Sequence, residues 1–72
     1  MTVYKVWRDN PRGSDTWRTY TSARATAKRA ILLHKKRQLN SVVVSTKKGE
    51  RKLTAKEGKL LRKITKKMMK RR

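Results

Sequence analysis

Residues 41–57 read SVVVSTKKGERKLTAKE, and the fold follows from how this stretch divides. Val42-Val43-Val44, set between Ser41 and Thr46, is a β-branched run with the composition of a strand. Lys47-Lys48-Gly49-Glu50 supplies a turn, Gly49 being free to take a positive φ, and Arg51 to Leu53 can pair back as a short strand. Thr54-Ala55-Lys56-Glu57 then matches a capping box: the Thr54 hydroxyl accepts from the Glu57 amide, and the Glu57 carboxylate accepts from the Thr54 amide. A helix from Thr54 to Arg72 follows, so this half of the chain reads strand, strand, helix.

The upstream half repeats that order. Thr2 to Arg8 (TVYKVWR) and Thr16 to Tyr20 (TWRTY) are rich in β-branched and aromatic residues, and the stretch between them, Asp9 to Asp15 (DNPRGSD), is made of turn formers. Thr21 or Ser22 can cap a helix running to about Arg37, with Ala23, Ala27, Ala30, Ile31 and His34 on one face and Leu33 at its edge. Leu39 and Asn40 mark its exit. The expected fold is therefore α+β: a small single domain in ββαββα order, with an antiparallel sheet of three or four strands and two helices on one face. Strand alternation separates Tyr4 and Val6 from Val3, Lys5 and Trp7. Because Lys5 should avoid the buried side, Trp7 is placed either beside it on an exposed sheet surface, where it could stack on an unpaired base, or in the core or under the long loop.

Composition narrows the chemistry. The 72 residues contain no cysteine, one histidine and four carboxylates (Asp9, Asp15, Glu50, Glu57). Disulfides and thiolate metal sites are excluded, and no metal site or cofactor is expected. No apolar run approaches the roughly 18 residues that span a bilayer, and Met1 to Arg8 lacks the apolar stretch of a signal peptide. The expectation is a cytoplasmic chain without a membrane partner, nucleoid-associated if it binds DNA. Its formal net charge of +19 would suit a disordered chain, but two tryptophans, two tyrosines and the valine run argue for a folded one.

The charge is also patterned. At about 100° per residue, Lys56, Lys59, Lys63, Lys66 and Lys70, with Arg62 at the margin, share one arc of the last helix, while Leu60, Leu61, Ile64 and Met68 cluster roughly opposite. Solvated helix faces ordinarily mix Lys with Glu at i and i+4, whereas this one has no acid after Glu57. Its like-charged neighbours repel, a cost that phosphates would relieve. Arg24, Lys28 and Lys35 add a second stripe on the first helix. Arg12, in the Asp9–Asp15 loop, has the length to reach a groove or a guanine edge.

These features point to a small basic nucleic-acid-binding protein whose Lys and Arg side chains contact phosphates. Duplex DNA is the first choice and RNA or a ribosome-associated role the second; the candidate contacts are Lys56, Lys59, Arg62, Lys63, Lys66, Lys70, Arg24, Lys28, Lys35, Arg12, Lys5 and Trp7. An alternative of another class is a regulator or inhibitor that docks its basic helix on an acidic protein. A homodimer through Val3, Trp7 or Leu32 is a further expectation. No enzyme is expected: the one arrangement with catalytic precedent, Asp15 with the Glu-x-Lys of Glu50 to Lys52, resembles a metal-dependent nuclease only in spacing, and a Glu-x-Lys arises readily in so basic a chain.

Overall fold

The computed structural model describes residues 2–70, with elements in the order β1 (Val3–Arg8), β2 (Thr16–Tyr20), α1 (Ala23–Lys35), β3 (Leu39–Thr46), β4 (Gly49–Arg51) and α2 (Ala55–Lys70). Arg71 and Arg72, the end of the expected C-terminal helix, lie outside the described residues. The strands make one antiparallel sheet, β2-β1-β3-β4. Both helices cover one side of it, giving the expected α+β architecture.

Alternation fixes which side is buried. Tyr4 pairs with Val44 and Val6 with Val42, and Tyr4, Val6 and Val44 are buried. Tyr4 and Val44 form the core with Ala27 of α1 and Leu61 of α2, extended by Ala23, Val42, Leu53, Ile64 and Met68. The intervening residues Val3, Lys5 and Trp7 necessarily point to the opposite, uncovered side.

β4 forms at Gly49–Arg51 rather than at the expected Arg51–Leu53. Gly49 adopts φ 119°, so the chain turns within Lys47-Lys48 and Gly49 already pairs with Thr46. The Thr46 side chain closes the turn, donating to the Gly49 carbonyl at 2.8 Å and accepting from the Lys48 amide at 3.3 Å. Glu50 is consequently a strand residue opposite Ser45, not a turn residue.

A register shift between Trp7 and Arg8 pairs Trp7 with Ser41 and Arg8 with Leu39, leaving Asn40 as the extra residue of a bulge. Its side-chain amide donates to the Asp9 carboxylate at 2.6 Å and to the Asp15 carboxylate at 3.2 Å. The Asp9 amide in turn donates to the Gln38 carbonyl at 2.8 Å. These bonds tie the β1–β2 loop to the α1–β3 connection.

α1 is capped by Ser22, whose hydroxyl accepts from the Ala25 amide at 3.4 Å; Thr21 has no part in it. It ends at Lys35, two residues before the expected Arg37, in a Schellman arrangement: Gln38 N donates to Leu33 O at 2.8 Å and Arg37 N to His34 O at 3.0 Å. Arg37 sits at φ 57°, the left-handed position usually given to glycine. The buried side of α1 is also turned from expectation. Leu33, assigned to the edge, is buried along with Thr26, whereas His34 is exposed. The reason is that α1 packs against both the sheet and α2, and two contacts widen and rotate the buried arc. Thr26 is tolerated inside because its hydroxyl donates to the Ser22 carbonyl at 2.8 Å.

α2 carries the expected capping box, with Glu57 N to Thr54 Oγ1 at 3.3 Å and Thr54 N to Glu57 Oε1 at 2.9 Å. Leu61 is buried and Ile64 and Met68 pack behind it. Leu60, expected in the apolar cluster, is 46% exposed because it lies about one residue's rotation off that line.

Candidate nucleic-acid interface

The cationic arc belongs to one uninterrupted element. α2 has 16 residues and so is about 24 Å long. Leu61, Ile64 and Met68 fix its rotation about its axis, and the side opposite them carries Lys56, Lys59, Lys63, Lys66 and Lys70, with Arg62 at one flank. All six are exposed. None of them forms a salt bridge among the described residues, where the ion pairs are Lys5–Glu50 and Arg51–Glu57.

The reason the arc has no counter-charge is that every Asp and Glu of the chain is engaged elsewhere. Asp9 and Asp15 accept from Asn40 at the bulge, and Asp15 also accepts from the Asn10 amide at 3.2 Å. Glu50 accepts from the Trp7 indole on the uncovered side of the sheet. Glu57 is turned from the arc toward β4, where the Arg51 guanidinium donates to both of its oxygens at 2.8 and 3.0 Å. That bidentate pair, followed by the Thr54 amide, lowers the Glu57 carboxyl from 4.5 to about 2. Asp15 and Glu50 thus have different partners on different parts of the sheet, and the Asp with Glu-x-Lys arrangement is not assembled.

The second stripe divides. Arg24 stands with Ile64, Lys67, Met68 and Lys70 around a surface depression, which brings it to the C-terminal end of the arc. Lys67 joins the cationic surface there; at about 100° per residue it falls within about 20° of Lys56, so its place beside the arc was legible in the spacing. Lys28 and Lys35 instead flank a shallow apolar depression with Tyr20, Ile31 and Leu32. Arg12 sits in the exposed part of the β1–β2 loop, where Asn10 shapes the turn by accepting from the Arg12 amide at 3.2 Å and donating to the Ser14 carbonyl. The Arg12 side chain has no hydrogen-bond or ion-pair partner among the described residues.

Lys5 and Trp7 lie across the sheet from α2. Trp7 pairs with Trp17 across β1 and β2, with ring centroids 5.0 Å apart. The Lys5 ammonium lies 4.7 Å from the Trp7 centroid, 4.3 Å from that of Trp17 and 3.7 Å from Glu50. Lys5 is therefore held by two rings and a carboxylate, unlike the arc cations. Among the described residues, no group of histidine, cysteine or carboxylate side chains is placed to hold a metal ion, and no helix is long and apolar enough to cross a membrane.

No protein-family model matches the chain, and no curated protein and no solved structure matches it either.

Proposed function

We propose that the chain is a nucleic-acid-binding protein that lays the outer face of α2 along the phosphates of duplex DNA. The observation that carries this reading is the unpaired cationic face from Lys56 to Lys70, in a chain whose carboxylates are all engaged elsewhere. Like charges at i, i+3 and i, i+4 repel along a helix. The face is stable because Leu61, Ile64 and Met68 anchor its other side, and phosphates would turn the repulsion into attraction. A helix with side chains is about 10–12 Å across and the major groove about 12 Å wide, so α2 suits a groove or the backbone beside it without unstacking bases. Arg24 and Lys67 extend the contact at one end.

Arg12 has a separate role. It stands on a loop held by Asn40, Asp9 and Asp15, so a contact to a base edge would be a fixed one. The remaining arc contacts position the chain without reading sequence.

Competition at one salt concentration tests the reading, using nuclease-treated protein against duplex DNA, single-stranded DNA and structured RNA of equal length. Duplex DNA should bind tightest. Preference for structured RNA would move the partner to RNA, and no binding to any of the three would leave an acidic protein surface as the arc's partner.

A further inference from the structure

The uncovered side of the sheet differs from the rest of the surface in one measurable respect, its charge. It presents Val3, Lys5 and Trp7 from β1, Trp17 and Thr19 from β2, Ser41, Val43 and Ser45 from β3, and Glu50 from β4. One cation and one anion stand on it, 3.7 Å apart, so this face has no net charge in a chain of +19. The basic groups that border it stand at its margins, Arg12 in the loop beyond one end, Lys47 with Lys48 in the turn beyond the other, and Lys52 just past β4.

We infer that this face is where a second copy of the chain docks, sheet against sheet. Two molecules of charge +19 repel in every orientation, least where neutral faces meet. The face is also apolar enough to gain from contact: Trp17 is 53% exposed, and Val3, Val43 and Trp7 are half-buried. In a two-fold contact each Lys5 is already neutralised by its own Glu50, so two such faces can meet without leaving like charges opposed, as a cationic patch would. Phosphate, in contrast, gains nothing here, because Glu50 would face it and Lys5 is already held.

Size sets the strength. Four strands about 4.8 Å apart and about 20 Å long offer roughly 400 Å² each. Two such faces together fall below the roughly 1,200–2,000 Å² of standard stable interfaces, which makes the dimer weak and reversible. It leaves α2 of each copy on an outer surface, so the pair could hold two nucleic-acid segments at once. That consequence rests on the proposed function; the dimer does not.

Salt separates the two. Screening shrinks from about 8 Å at 0.15 M to about 3 Å at 1 M, so raising salt should strengthen self-association while it weakens phosphate binding. Sedimentation velocity of the nucleic-acid-free chain, from roughly 5 to 500 µM at low and high salt, should show a monomer moving toward a dimer, more so at high salt. Both tryptophans of the chain lie on this face, and their emission should shift to the blue with concentration. Thr19→Lys, at an exposed position on β2, should weaken association about tenfold or more, because each two-fold contact then holds two new like charges; an unchanged far-UV spectrum shows that the fold survives. A chain that stays monomeric with constant emission would overturn the inference, as would association indifferent to Thr19→Lys. Quenching of the tryptophans by oligo(dT) in a chain that does not self-associate would also overturn it, assigning the face to unpaired bases.

Discussion

On α2 the cations from Lys59 to Lys70 follow one another with no carboxylate among them, whereas across the sheet the lone cation Lys5 is held by Glu50 and two indole rings. Each surface puts its few acids to different use. On the sheet an acid neutralises; on α2 the single acid, Glu57, is spent on the N-terminal cap and on Arg51, leaving the outer face bare. Net charge alone therefore describes neither surface: a chain of +19 contains a face of zero and a face of nearly uniform positive charge.

The largest effect expected from this contrast is on binding. Substituting Glu for Lys59, Lys63 and Lys66 together should abolish nucleic-acid binding yet leave the fold intact or firmer, since it removes repulsion between neighbours and supplies acid–base pairs at helical spacing. A titration by fluorescence anisotropy beside a thermal melt checks both halves. Retained affinity in a folded triple variant would show the arc to be merely solvated.

The next largest effect is the salt dependence. If four to six arc cations contact phosphates, log K against log[salt] on duplex DNA should fall with a slope of roughly −4 to −5, about −0.9 per contact. Changing Lys63 to Ala should make the slope shallower by about one unit and weaken binding to all sequences alike. Replacing Arg12 should weaken a preferred sequence more than random DNA, and equal losses would reduce its loop to a turn.

Much of this contrast was legible in the sequence, and its gaps have identifiable causes. The capping box, the arc, the order of elements and the Gly49 turn are local patterns, fixed by residues three or four apart. A hairpin closing between Arg8 and Thr16 also pairs Trp7 with Trp17, so the aromatic cluster followed from boundaries that were already readable. What could not be read depends on contacts distant in sequence: the reach of Glu50 to Trp7, the double duty of Asn40 at the bulge, and the rotation of α1 that buries Leu33 and exposes His34. The division of the Arg24, Lys28 and Lys35 stripe is of the same kind, set by where α2 crosses α1.

A smaller effect concerns the acid that α2 turns away. The Glu57 carboxyl is lowered from 4.5 to about 2, first by Arg51 and then by the Thr54 amide, so its contribution to stability is complete above pH 4.5 and is lost as pH falls toward 2. The stability difference between the wild type and Glu57→Gln should accordingly be constant from neutrality to about pH 4.5 and vanish near pH 2, as read by urea titration at each pH. Thr54→Ala removes the other half of the same cap and should cost about 0.5–2 kcal/mol. Neither change should alter the salt slope of binding at pH 7, because neither group lies on the arc.

The smallest effect gives the sharpest control. Arg37 ends α1 at φ 57° with its amide donating to His34, a conformation that costs an ordinary residue roughly 1–2 kcal/mol and glycine almost nothing. Against this stands the greater chain entropy that glycine gives the unfolded state, about 0.5–1 kcal/mol, so Arg37→Gly should stabilise the fold by something near 0.5–1 kcal/mol. The same substitution removes one positive charge from the molecule, as Lys63→Ala does, but from a place outside both α2 and the open sheet face. If binding follows total charge, the two variants should flatten the salt slope equally. If it follows the arc, Lys63→Ala should shift the slope by about one unit and Arg37→Gly should leave it unchanged while raising the melting temperature. Equal shifts in the two would mean that α2 is only the most visible part of a uniformly cationic surface.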